Sequence, residues 1–111
     1  GKTPLFYACS SGNERLVKYL VDQGANIHKK EKYRDETPLF NACFSGNTTL
    51  VKYLVELGAD INKKDKGSQT PLCNACSSGN TTLVKYLVEL GADINKKDKY
   101  GQTPLFNACS S

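Results

Sequence analysis

Cys73-Asn74-Ala75-Cys76 is a C-x-x-C segment, the spacing that supplies half of a zinc site or a redox pair. It stands alone: there is no second C-x-x-C, and the only histidine, His28, lies far back in the chain. Cys76 also recurs in register with Cys9, Cys43 and Cys109, and Cys73 fills a slot held elsewhere by Phe6, Phe40 and Phe106. The pair therefore reads as core packing, not as a ligand set. His28 stands where later copies have Asn62 and Asn95, so it completes no nucleophile–histidine–acid set. The carboxylates are scattered, and no G-x-x-x-x-G-K loop is present to cradle a phosphate. The expectation is a protein that is not an enzyme and takes no cofactor or metal.

The remaining chemistry is charge. The net charge is +4, and ten of the fifteen basic residues are concentrated in short links: Lys29, Lys30, Lys32, Arg34, Lys63, Lys64, Lys66, Lys96, Lys97 and Lys99. The acids there are fewer: Glu31, Asp35, Glu36, Asp65 and Asp98. One edge of the molecule should be basic and attract an acidic partner. Nucleic acid is disfavoured, because acids interleave the lysines and only Tyr33 and Tyr100 could stack on bases. No apolar run approaches the ~20 residues of a membrane helix, and no secretory signal pattern is present.

What positions these residues is a repeat. Residues 45–77 and 78–110 are 33-residue copies differing only at Gly67/Tyr100, Ser68/Gly101 and Cys73/Phe106. Thr-Pro-Leu recurs at Thr3, Thr37, Thr70 and Thr103. A fixed period of this length predicts a solenoid whose units bury their apolar faces against their neighbours. The units are read as about 1–33, 34–66, 67–99 and a partial 100–111. The chain begins almost on Thr-Pro-Leu and stops inside the fourth unit, as expected of a piece of a longer array.

Within one unit, Thr70-Pro71 is a helix start, the threonine hydroxyl as cap and proline at the first helical position. Leu72, Ala75 and Cys76 mark the buried side of a short first helix. Gly79 breaks the chain and Asn80 caps a second helix with an apolar face of Leu83, Val84, Leu87 and Val88. Gly91 ends it in a left-handed position. A polar link then forms a projecting finger. Applied to every copy, this predicts helices at about 4–10, 14–22, 37–44, 48–56, 70–77, 81–89 and 103–110, with no continuous sheet. Cys9, Cys43, Cys76 and Cys109 should form a buried, reduced row. Neighbouring units stack at roughly 8–10 Å, too far for a disulfide. Such thiols fit an intracellular, cytoplasmic compartment.

Thr-Pro-Leu-Phe, Ala-Cys, Gly-Asn, Leu-Val-x-Tyr-Leu-Val, Gly-Ala-Asp-Ile-Asn and the Asp-x-x-Gly finger together resemble the ankyrin repeat, in order and over essentially the whole chain. The resemblance implies an all-α solenoid of stacked helix–turn–helix units with projecting hairpin fingers. It also implies a non-enzymatic protein-binding module that works through its finger tips and concave groove. The implied partner-binding positions are Lys32, Tyr33, Arg34, Lys66, Ser68, Lys99 and Tyr100 on the fingers, with Asn41, Asn74 and Asn107 on the first helices. Phe44 joins them, because it replaces the serine of Ser10, Ser77 and Ser110. Two departures stand out. The family's histidine after Thr-Pro-Leu is replaced by Phe6, Phe40, Cys73 and Phe106, so packing must replace its hydrogen bonds. The first finger is one residue longer and lacks the tip glycine. Residues 54–62 and 87–95 also look like the ankyrin segment modified by an oxygen-sensing asparaginyl hydroxylase. The reading preferred for Asn62 and Asn95 is local ordering of the hairpin by hydrogen bonds.

The leading expectation is a scaffold for an acidic protein or peptide. An engineered or recently duplicated module without a partner of its own is the alternative, and nucleic-acid binding the weaker one. Either fraying of the last unit or end-to-end self-association is expected, because the partial unit lacks the second helix that would cover Leu105 and Ala108.

Overall fold

The computed structural model describes residues 3–92. Six helices run in pairs: α1 (Pro4–Ser11) and α2 (Glu14–Asp22), α3 (Pro38–Ser45) and α4 (Thr48–Glu56), α5 (Pro71–Ser78) and α6 (Thr81–Glu89). The described residues contain no strand. The expected helix at 103–110, Cys109 and the last finger lie outside the described residues.

Each first helix starts at a proline, whose missing N–H is one the first turn would leave unbonded anyway. Thr3, Thr37 and Thr70 occupy the cap positions in extended conformation, but none of their hydroxyls caps the helix. The sequence expectation is corrected here. Thr37 and Thr70 are buried, and the Thr70 hydroxyl sits 3.9 Å from the Cys73 sulfur instead. The second helices follow expectation: the Asn13, Asn47 and Asn80 side chains accept from the Leu16, Leu50 and Leu83 N–H groups. Gly12, Gly46 and Gly79 make the tight turn between paired helices at φ near +70° (71, 74 and 75), a region that disfavours any side chain.

The first helices stack side by side, α1 on α3 on α5, and each second helix covers its own partner. Leu5, Leu39 and Leu72, with Ala8, Ala42 and Ala75, form the inner rows of one continuous core, while Val17, Leu50, Val51, Leu54, Leu83 and Leu87 enter it from the second helices. The small alanines let the first helices approach closely. Phe6 and Phe40 are fully buried, and Cys73 is nearly so. Packing has thus taken the place after Thr-Pro-Leu. Cys9 and Cys43 are buried as expected, but Cys76 is only half-buried. The four described cysteines are free thiols. Burial pushes the Cys9 thiol up to about 12 and raises those of Cys43 and Cys76 as well, which suppresses the reactive thiolate.

Hydrogen bonds also tie the units together. Asn47 donates to the Gly12 carbonyl at 3.2 Å, and Asn80 to the Gly46 carbonyl at 2.6 Å and the Thr48 hydroxyl at 3.2 Å. On the outer face, the Lys18 ammonium lies 5.5 Å from the Tyr53 ring centre and that of Lys52 lies 5.3 Å from Tyr86. These cation–π pairs bridge consecutive units.

Candidate functional site

Each described finger is built on a buried carboxylate. Glu31, only 2% exposed, accepts from the Tyr33 N–H at 2.9 Å, the Glu36 N–H at 3.4 Å and the Arg34 N–H. Its own N–H reaches the Glu36 carbonyl at 2.8 Å, which closes the loop. Asp65, 5% exposed, does the same for the second finger: it accepts from Gly67 at 2.8 Å and Gln69 at 3.0 Å, and its N–H bonds the Gln69 carbonyl at 2.8 Å. The finger that is one residue longer uses the carboxylate that is one methylene longer. Both tips contain a non-glycine residue in left-handed conformation, Asp35 at φ 59° and Ser68 at φ 61°. In the sequence register Gly101 occupies this position of the last finger. The second finger has its glycine one place early, at Gly67.

The fingers are joined to each other. The Lys66 N–H donates to the Arg34 carbonyl at 2.8 Å, and the Lys66 ammonium to the Lys32 carbonyl at 3.0 Å. Arg34 reaches Asp65 at 3.1 Å and Glu36 at 3.3 Å. The Asp65 side chain is fully buried and that of Glu36 is 17% exposed, while Arg34 stays half in solvent. Burial, reinforced by a hydrogen bond with Asp65, pushes the Glu36 carboxyl up to about 7 against the opposing pull of Arg34. Glu36 therefore changes charge near neutral pH.

On the first helices the asparagines face the preceding unit. Asn41 donates to the Ser10 hydroxyl at 2.6 Å, and Asn74 to the Phe40 carbonyl at 2.9 Å. Tyr7 and Phe44 are 63% and 67% exposed, and Tyr33 is 77% exposed. Two hollows lie between fingers and first helices. One is lined by Phe6, Glu31, Tyr33, Arg34, Glu36 and Asn41, the other by Ser10, Glu36, Asn41, Phe44 and Asn74. The structure thus brings Tyr33, Arg34, Asn41, Phe44 and Asn74 around one concave surface. Lys32, Lys66 and Ser68 sit on the fingers above the buried carboxylates. Lys99, Tyr100 and Asn107 lie outside the described residues.

Sequence reasoning missed Glu36 as a groove residue, and missed Glu31 and Asp65 as finger bases. An acid in the same slot of every link (Glu31, Asp65, Asp98) was the available signal. At the start of the finger, Asp60 accepts from the Asn62 N–H at 2.9 Å, and Asn26 from the His28 N–H at 2.8 Å. Among the described residues no group of three His, Cys, Asp or Glu side chains could hold a metal ion, and no helix is long and apolar enough to cross a membrane.

Comparison with known families matches the chain twice. A model of ankyrin repeats in three copies matches residues 1–65, and a model of ankyrin repeats in many copies matches residues 54–105.

Proposed function

The chain belongs to the ankyrin repeat family, and we propose that it is a non-enzymatic scaffold that holds a protein or peptide against its finger tips and concave groove. The family's general role is protein binding, and the rest of the reading is specific to this chain. The observation that carries it is the exposure of aromatic side chains that differ between neighbouring units, Tyr33 against Gly67 and Phe44 against Ser77. Tyr33 is 77% and Phe44 67% exposed, whereas the core positions that repeat are sealed. A surface that recognises an asymmetric partner needs side chains that differ between units, and exposed aromatics supply most of the binding energy at such sites. Acidic stretches of the partner meet the finger lysines, including Lys32, Lys66 and Lys99, which steer association. Serine at position 68 and the longer first finger give neighbouring tips different shapes.

The charge pattern disfavours nucleic acid. Arg34 is already paired with two carboxylates, and Glu31, Asp35, Glu36 and Asp65 interleave the finger lysines. The second-helix face is proposed to stay out of the interface, since Lys52 is engaged with Tyr86.

The test is capture of a partner followed by alanine substitution. Tyr33→Ala, Phe44→Ala and Tyr100→Ala should each weaken binding by on the order of 1–2 kcal/mol, while Lys52→Ala and Lys85→Ala change it little once folding is checked. The reverse pattern would move the site to the outer face.

A further inference from the structure

Glu36 and Asn41 line both hollows of the concave side and form their shared floor, with Tyr33 bordering one and Phe44 the other. The hollows measure ≈ 140 and ≈ 310 Å³. Each exceeds the roughly 30 Å³ share of a single water, so there is room for a side chain. The charge beneath is unbalanced. Arg34 is one cation set against two carboxylates, Glu36 and Asp65. Lys66 does not make up the difference, because its ammonium is held at the Lys32 carbonyl on the finger. Tyr33 and Phe44, each lining one of the two hollows, are mostly in solvent.

We propose that this floor seats one arginine side chain of the bound segment, its guanidinium facing the Glu36 carboxylate alongside the Tyr33 and Phe44 rings. Arginine fits better than lysine. Its planar, weakly hydrated head stacks on aromatic faces while its edge pairs with a carboxylate, whereas an ammonium is a compact, strongly hydrated point charge. The inference rests on the scaffold reading and sharpens it: the ligand is a segment of mixed charge, with acidic positions at the finger lysines and one arginine below them. Glu36 faces Arg34 on its own finger and Asp65 on the next, and its carboxyl loses its proton near pH 7. The seat should therefore strengthen as pH rises.

The experiment is titration of the full chain with N-acetyl-arginine methylamide, read by NMR at pH 6 and pH 8, with the uncharged N-acetyl-citrulline methylamide as comparison. Saturable shifts are expected at Tyr33, Glu36, Asn41 and Phe44, with affinity about fivefold to tenfold weaker at pH 6, where most Glu36 is protonated. Glu36→Gln should abolish the pH dependence. Phe44→Ala, at an exposed position that folding does not depend on, should weaken the arginine response at least about threefold. Equal responses to the arginine and citrulline probes would overturn the seat, as would shifts scattered over surface carboxylates. So would a captured partner that depends on Tyr33 and Phe44 but whose affinity ignores every arginine-to-citrulline replacement. That last result would leave the scaffold reading standing.

Discussion

Replacing Asn80 with aspartate separates two jobs that one side chain performs. Its oxygen caps α6 by accepting from the Leu83 N–H at 3.1 Å, while its NH2 donates to the Gly46 carbonyl at 2.6 Å and the Thr48 hydroxyl at 3.2 Å in the preceding unit. Aspartate keeps the cap and adds charge at a helix N-terminus, favourable by about 0.3–1 kcal/mol. It also removes the donor and sets a carboxylate against a carbonyl oxygen. The lost bond and the unsatisfied carbonyl together oppose folding by about 1–3 kcal/mol, near the lower end for a part-buried site. Asn80→Asp should thus destabilise by a net of up to ~1 kcal/mol. Asn47→Asp should follow with a smaller loss, since Asn47 makes a single longer cross-unit bond of 3.2 Å. Asn13 is the internal control. Among the described residues its side chain makes only the cap bond to the Leu16 N–H, so Asn13→Asp should be neutral or stabilising by up to ~0.5 kcal/mol. Urea unfolding at pH 7 followed by circular dichroism reads these as midpoint shifts at constant slope. Below about pH 4 the new carboxyl is protonated and can donate again, so the Asn80→Asp penalty should shrink. Equal effects at all three positions, or a penalty that ignores pH, would refute the claim that these asparagines couple the units.

Ser68→Gly should stabilise the chain by about 0.5–1 kcal/mol, because serine is held in left-handed backbone that only glycine adopts freely; a melting temperature that stays put or falls would contradict this. Glu36 should make stability pH-dependent with a defined sign. Its carboxyl rises from 4.5 to about 7 on folding, so the folded form holds the proton more tightly and stability is lost as pH climbs through that window. From pH 5 to pH 8 the parent should lose about 1–3 kcal/mol more than Glu36→Gln, and parallel pH profiles would refute the assignment. In native-state labelling with a bulky thiol reagent, Cys76 should react first among the four described cysteines, and Cys9 and Cys43 only on the timescale of unfolding.

The helices were legible because their signals repeat. Proline at each first turn, asparagine before each second helix and glycine after each pair recur in register, and α2, α4 and α6 begin and end where the sequence puts them. The threonine caps were misread because a cap residue's identity does not say where its hydroxyl points. In the stacked array Thr37 and Thr70 are buried, and that environment comes from the neighbouring unit. The concave surface was half legible. Phe44 announces itself by breaking the serine row, and Tyr33 by differing from Gly67, but Glu36 looks like one more link acid until the second finger places Asp65 beside it and Arg34 between them. Contacts across about one repeat length, such as Arg34 to Asp65 and Asn80 to Gly46, decide roles that spacing within one unit cannot.

Those cross-unit bonds explain how a chain of short helices can present a fixed surface. A helix of eight or nine residues is too short to persist alone in water, so each unit owes its order to its neighbours. At the groove the same logic applies to side chains. Glu31 and Asp65 are consumed in bonding the backbone of their own fingers, Arg34 and Lys66 lock one finger to the next, and Asn41 and Asn74 lock one first helix to another. The polar residues that repeat are thus spent on the framework. Among what the framework leaves projecting are Tyr33 and Phe44, which differ from Gly67 and Ser77 in the next unit, beside a carboxylate whose charge changes near neutral pH. On the proposed reading, recognition falls to residues that packing does not need.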